Sequence, residues 1–402
     1  MSSSALLLQD RLDVRTKSRA NLFNWRGQFT PEFVAYLLES FASPSDVIID
    51  PFAGSGTVLH ECSARHLECY GYEINPAAYS MCRFFAFANF PPAARKTFLA
   101  AVEEELIGCL RPYKNLPLLH ESLEFRERLA SLLTFAKDIL PRLATKEEKI
   151  LAVNTLLIAE SRTRKTLSRT VLDAFDYLRK GILALPYTRK SVTARLGDAR
   201  LVHENHLGTA DLVLTSPPYI NVFNYHQNHR AILEGMGWDL LHVAQSEIGS
   251  NRKNRANRFR TVIQYCLDME EAMVSIWNSL KPTGRAILVV GRESNVRRVP
   301  FYNGLLIKEI MRELRCFSVI QNYERQFTNR FGISIKEDII VATKSEQAIH
   351  RGSARNIALK HLRIALDGAT GDVRDDLVEV ISEGLEIKPS PLFTFKEIFS
   401  DA

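Results

Sequence analysis

The chain has 402 residues, 52 Lys and Arg against 46 Asp and Glu, a net charge of +6, and 46% hydrophobic and 24% charged residues. This is ordinary globular usage, and it excludes disorder, collagen-like repeats and coiled coil as the main architecture. The length allows two to three domains of typical size or one large domain with insertions, and so mild a charge excess suits nucleic acid and many cytosolic enzymes alike.

The cysteines are Cys62, Cys69, Cys82, Cys109, Cys266 and Cys316. They form no CxxC pair and no Cys/His cluster with zinc spacing, so they read as reduced thiols packed as small hydrophobes in a cytoplasmic protein. The first apolar run, Ala5 to Leu8, follows no basic region and is too short for a signal peptide. No uninterrupted apolar stretch approaches the roughly 20 residues that span a bilayer. Neither a secreted nor a membrane protein is expected.

Val47 to Asp50 reads as a buried parallel strand, followed by the loop Pro51 to Thr57 and a helix over Val58 to His66. A second strand, Glu68 to Tyr72, ends in Glu73, and Pro76 opens another helix to about Ala88. The stretch from Pro91 to Pro186 has apolar residues at helical spacing and almost no strand signal. Strands return at Ser191 to Leu196 and Asp211 to Leu214. A polar, basic segment runs on to Arg260, then a helix over Val262 to Leu280 and a strand over Arg285 to Val290. Phe317 to Tyr323 and Ile335 to Ala342 complete the sheet, and an extension with an acidic last third follows Thr343. Strand, Gly loop, helix, strand, acid is the opening of a doubly wound α/β sheet. The helices are read as an insertion in that sheet.

Gly54 and Gly56 allow a sharp turn after a strand and a close approach of backbone to ligand. The loop offers N–H groups at a helix start. No Lys follows Gly56, as a phosphate-binding loop would require, and Leu59 stands where a dinucleotide fingerprint needs Gly. The loop therefore suits a smaller anion, such as an amino-acid carboxylate, although a tight turn without a ligand would use the same residues. Glu73 is placed to accept from both hydroxyls of a ribose. A solvated loop acid would look the same alone; the Gly loop at the right distance favours the ligand. Gly197-Asp198 follows a third strand, where Asp198 could accept from an adenine amine or simply make a turn.

Thr215 to Tyr219 is the strongest signal. Two successive prolines lock φ and remove two donors, which leaves acceptors at the carboxyl edge of a core strand. Ser216, a proline carbonyl and Tyr219 then make an amine-accepting site with a stacking face. A Pro-Pro turn on an edge strand would not explain this position.

DPFAGSGT (50–57), YEINP (72–76), GDA (197–199) and TSPPY (215–219), in that order, resemble the S-adenosylmethionine-dependent amino-methyltransferases of DNA. SPPY resembles the cytosine-N4 branch; the adenine-N6 branch more often has Asp or Asn before Pro-Pro-Tyr. The resemblance covers residues 20 to 343 and implies a Rossmann-like, doubly wound, mostly parallel methyltransferase sheet with a helical insertion and a C-terminal extension. It divides the chain into 1–90, the first half of that domain; 91–190, a helical insertion in the target-recognition position; 191–343, the second half with a basic loop 220–260; and 344–402, the tail.

The resemblance also implies site residues. The methionine end of S-adenosyl-L-methionine would rest on Phe29, Thr30, Asp50, Pro51, Phe52, Ala53, Gly54, Ser55, Gly56 and Thr57. The ribose would rest on Glu73, and the adenine near Ile74 and Asp198. The substrate would be double-stranded DNA with the target cytosine flipped out, since its amine is unreachable while stacked. Tyr219 would stack on the base, while Ser216 and the Pro217 carbonyl, beside Pro218, would accept from the amine. Methyl transfer would be a direct displacement. No cysteine follows a proline, which excludes the carbon-5 chemistry that needs such a nucleophile.

Arg252, Lys253, Arg255, Arg258 and Arg260, interleaved with Asn251, Asn254 and Asn257, suit phosphates and base edges, or a solvated basic loop. A second basic run is Arg162, Arg164, Lys165 and Arg169. Asn221, Asn224, Tyr225, His226, Asn228 and His229 are candidates for lining the base pocket rather than holding a metal, and the three tryptophans are read as packing. The same fold could instead serve adenine N6, RNA guanine N2 or a protein glutamine, or a non-catalytic DNA-binding subunit. Only about 45 residues precede the first strand, few for an RNA-binding domain, and protein-glutamine enzymes usually show NPPY. The intact motifs argue against a decayed subunit. A cognate restriction endonuclease, as in a restriction-modification pair, is the implied protein partner.

Overall fold

The structure, a computed structural model, describes residues 7–113, 125–162, 166–221, 224–250, 254, 256–328 and 332–394. Its strands are β1 (Val47–Asp50), β2 (Glu68–Glu73), β3 (Val192–Leu196), β4 (Ala210–Thr215), β5 (Leu280–Gly291), β6 (Glu293–Val296), β7 (Val299–Tyr302), β8 (Phe317–Thr328) and β9 (Ser334–Lys344). Seven of them form one sheet in the order β3-β2-β1-β4-β5-β9-β8. β1 to β5 pair in parallel, and β9 runs antiparallel to both neighbours. This is a doubly wound, mostly parallel, Rossmann-like sheet. Its central strands are apolar throughout, as burial on both faces demands: Ile48, Ile49, Leu212, Val213, Ile287 and Val289 are all buried. The strand order reverses between β1 and β4, so the crevice for a ligand opens beyond their carboxyl ends.

Four helices, Pro92–Leu110, Phe125–Ile139, Lys146–Ser161 and Leu167–Ala184, lie in the crossover from β2 to β3. Lys146–Ser161 starts on a capping box between Thr145 and Glu148. The buried Arg95 joins the ends of this region, donating to the carbonyls of Phe90 (2.8 Å), Ile182 (3.1 Å), Ala88 (3.1 Å) and Pro186 (3.0 Å). Its charge is spread over backbone acceptors, which suits a buried guanidinium.

Three departures from the sequence reading have local causes. Leu280 pairs with Ala210, and pairing resumes at Leu212 with Arg285, so residues 281–284 bulge out of a strand that starts earlier than expected. The β6–β7 hairpin turns on Arg297 and Arg298, both at positive φ, and carries no glycine signal. The basic segment 220–260 contains two short helices, Arg230–Gly235 and Leu240–Ser246.

The acidic extension folds onto the core. Helix Gly371–Glu383 brings Glu379 and Glu383 to Arg260, with Glu379 at 3.1 Å, and Asp376 to Arg297. All six cysteines are free and buried. Among the described residues no helix is long and apolar enough to cross a membrane, and no group of three or more His, Cys, Asp or Glu could hold a metal ion.

Candidate active site

β1 and β4 end side by side, and a hydrogen bond ties their loops: Thr215 Oγ1 donates to Asp50 Oδ1 at 2.6 Å. The Phe52 N–H also donates to Asp50 Oδ1, at 3.2 Å. Burial pushes the Asp50 carboxyl up to about 7 despite these two bonds. Beyond Asp50 the chain turns through Gly54 (φ +51°) and Gly56 (φ +87°) into helix Thr57–Ala64. A Cβ on Gly56 would lie 2.8 Å from Cys82 Cα and the Phe85 ring, so this glycine serves packing as well as the turn.

Glu73 ends β2 and reaches back to the loop. Its Oε2 accepts from the Gly54 N–H at 2.9 Å and its Oε1 from the Asn75 N–H at 2.8 Å. Burial pushes this carboxyl to about 7 as well, and the nearby Glu247 and Asp50 add to the rise. Each oxygen retains an acceptor site, enough for two ribose hydroxyls.

One cleft is lined by Phe29, Asp50 to Ser55, Thr57, Glu73, Ile74, Asp198, Ser216 to Tyr219 and Tyr225. The methionine-side, ribose-side and amine-side candidates thus share a cavity. Thr30 and Gly56 do not line it. Thr30 is the N-cap of helix Pro31–Phe41, and its Oγ1 is buried without a partner.

Asp198 is buried and lines the cleft, yet its carboxylate is saturated, which corrects its expected role as acceptor for an adenine amine. Oδ1 accepts from Arg200 N (3.0 Å) and Nε (2.9 Å), and Oδ2 from Arg200 Nη2 (2.6 Å) and Phe393 N (3.0 Å). A carboxylate offers about four acceptor sites, and all are used. The C-terminal residues hold this corner: Arg200 also donates to the carbonyls of Ser390 and Pro391, each at 2.7 Å, and Ser390 N donates to Asp268 at 2.7 Å.

Tyr219, the expected stacking residue, lines the cleft. Its ring lies over Gly291, where a Cβ would stand 2.7 Å away, and its hydroxyl donates to Glu337 Oε1 at 3.2 Å. Burial, then the Glu337 charge, raises the phenol far above its ordinary range, so Tyr219 stays a neutral donor. Trp25, itself buried, stacks parallel to Tyr225 at 5.9 Å and 12°. Trp25 and Arg26 line both this cleft and a second, polar cavity with Glu160, Gln227 and His229. Trp25 thus packs in the core, as expected, and also lines the cleft.

Asn221 and Asn224 do not line the first cleft: Asn221 donates to the Asn295 carbonyl at 2.8 Å, and Asn224 accepts from Ser250 at 3.3 Å. His226 is buried against Glu247, whose carboxylate accepts from its N–H (2.6 Å) and pairs with its Nδ1 (2.7 Å). His229 Nδ1 meets Glu160 at 2.6 Å in the second cavity.

Of the basic loop, Asn251, Arg252, Lys253 and Arg255 lie outside the described residues, as do Arg164 and Lys165. Arg258 is exposed. Arg260 is paired with Glu379 and Glu383, and the buried Asn257 donates to Glu379 at 3.0 Å. Arg169 pairs with Asp173 at 3.1 Å.

The sequence reading missed Trp25, Ser246 and Glu247 as lining residues. Trp25 precedes the Phe29 segment closely enough to have been included. Glu247 lies in a loop with no motif, and only the fold brings it to Glu73.

Residues 9–83 match the model of a family described as DNA methylase. A Type II methyltransferase, M.MjaII, from Methanocaldococcus jannaschii is 39% identical over 62 residues, which are 15% of this chain and 12% of that protein's length. Among solved structures, TrmN from Thermus thermophilus covers 80% of this chain and 50% of its own, with 14% identity and a TM-score of 0.33. A SAM-dependent methyltransferase from Methanosarcina mazei covers 77% and 98%, with 10% identity and a TM-score of 0.36. TM-scores of this size carry no inference. The family match takes in the Gly loop and Glu73, and with the partial relative, of whose length the chain covers 12%, it likens this chain to DNA methyltransferases.

Proposed function

We propose that this chain transfers a methyl group from S-adenosyl-L-methionine to the exocyclic N4 amine of a flipped cytosine in DNA. The observation that carries the reading is the shared cleft: Asp50, the Gly54 loop and Glu73 on one side, Ser216 to Tyr219 on the other.

The cleft suits the cofactor. Asp50, Glu73 and Glu247 give it an acidic lining for a ligand carrying a sulfonium and an ammonium, and Glu73 keeps acceptor sites for ribose. The bound cofactor supplies an electrophilic methyl group. The chain's own residues supply position. Thr215, by bonding Asp50, fixes the distance between the cofactor loop and the amine-accepting loop. Ser216 Oγ and the Pro217 carbonyl accept from the amine and turn its lone pair toward the methyl. Such alignment is the main source of catalysis in a direct displacement. Arg26, shared by both cavities and exposed, places a cation where the flipped strand would enter.

The test is expression in a host without modification, followed by sequencing that separates N4-methylcytosine from N6-methyladenine. N4-methylcytosine at one sequence motif is expected, and Ser216→Ala should abolish it while cofactor binding survives. N6-methyladenine would move the chain to the other amine, and unmodified DNA would refute the reading.

A further inference from the structure

One row of residues crosses three strands behind the proposed amine site. Gly291 on β5 pairs with Glu337 on β9, and Glu337 pairs with Arg325 on β8. Directly paired residues project to the same face of a sheet. The Tyr219 ring rests over the gap left by Gly291, and its hydroxyl reaches Glu337 Oε1 at 3.2 Å. Glu337 Oε2 faces Arg325 Nε at 3.4 Å. On the other side, Tyr219 Oη lies 3.4 Å from Ser216 Oγ. The row therefore reads Arg325, Glu337, Tyr219, Ser216, and it ends in the cleft.

The chemistry of the row gives it a direction. Arg325 is almost fully buried, its guanidinium stacked 3.9 Å from the Phe33 ring and 4.5 Å from the Phe327 ring, with Glu337 as the carboxylate paired to it. Glu337, the acceptor in its pair with Tyr219, takes the hydrogen bond of the Tyr219 hydroxyl. Tyr219 must then spend its one proton on Glu337. Its oxygen can receive but not give toward Ser216, so Ser216 Oγ donates to it. The lone pairs of Ser216 are left facing the cleft, where an amine must donate. Reversed, Ser216 would offer its proton to the amine nitrogen and occupy the lone pair that attacks.

We propose, resting on the amino-methyltransferase reading above, that Glu337 backed by Arg325 is a positioning residue that polarises the Tyr219–Ser216 pair so that Ser216 presents an acceptor to the substrate amine. Glu337 stands 118 residues after Tyr219 and meets it only through the sheet.

The experiment measures cofactor affinity by calorimetry and turnover on unmodified genomic DNA at saturating cofactor. Tyr219→Phe removes only the hydroxyl and leaves the ring over Gly291, so the fold has no new cavity or charge to absorb. It should lower turnover roughly tenfold or more while cofactor affinity stays within about twofold. Glu337→Gln, whose amide can donate or accept, should do the same, and Glu337→Asp should recover part of the loss. Because the row acts as a unit, Tyr219→Phe with Glu337→Gln should be no worse than either alone. Full turnover in Tyr219→Phe overturns the proposal, as do losses that multiply in the double variant or a fall in cofactor affinity that accounts for the effect. A wild-type chain that binds cofactor but methylates no DNA overturns the underlying reading and this one with it.

Discussion

Cofactor binding should release protons near neutral pH. Asp50 and Glu73 both titrate at about 7, because burial disfavours their charged forms. At that pH each is half protonated. A ligand that brings a sulfonium and an ammonium to this acidic cleft, and two ribose hydroxyls to Glu73, favours the ionised form of both. Binding should then expel roughly half a proton from each, or about one per cofactor, at about pH 7, falling toward zero about two units higher. Below pH 7, affinity should weaken by up to about tenfold per unit for each group. The sign for the free protein is opposite. Both folded values are raised, so their contribution to stability is fully present near pH 4 and is lost as pH rises through about 7. Calorimetry with S-adenosylmethionine in buffers of different ionisation heat measures the released protons directly. Glu73→Gln should halve the release. Proton uptake, or no buffer dependence at about pH 7, would refute the assignment of these carboxyls to the cofactor.

Gly56→Ala should destabilise the protein by roughly 2–4 kcal/mol, from the left-handed backbone and the clash with Cys82 and Phe85, measured by chemical denaturation. Ser390→Ala leaves Asp268 short of the hydroxyl donor it has inside the protein, and should lower stability by about 1–3 kcal/mol in the same assay. Replacing Arg252, Lys253 and Arg255 with Ala should weaken DNA binding and reduce the slope of log affinity against log salt, by up to about one for each phosphate no longer neutralised. An unchanged slope in a filter-binding titration would place the DNA interface elsewhere.

Local rules made much of the molecule legible from sequence. Short β-branched runs suit strands buried on both faces, and turn chemistry punctuates them, so β1, β2 and β4 were readable with their Gly and Pro-Pro loops. The order of those motifs also carried the cleft, because a doubly wound sheet brings strand ends together wherever its order reverses. Helical periodicity likewise marked the crossover helices, down to Phe125–Ile139.

The rest depended on contacts between distant segments, which no local rule encodes. Asp198 reads as a free acceptor until Arg200 and the Phe393 N–H fill it. Arg260 and Asn257 read as nucleic-acid contacts, with no sign that helix Gly371–Glu383 folds back to pair with them. Glu337 and Glu247 have meaning only beside Tyr219 and Glu73. Residue type and spacing thus determined which chemical groups this protein presents. Tertiary structure decided which of them remain unsatisfied, because a hydrogen-bonding group can serve a ligand only where the fold has not already supplied its partner.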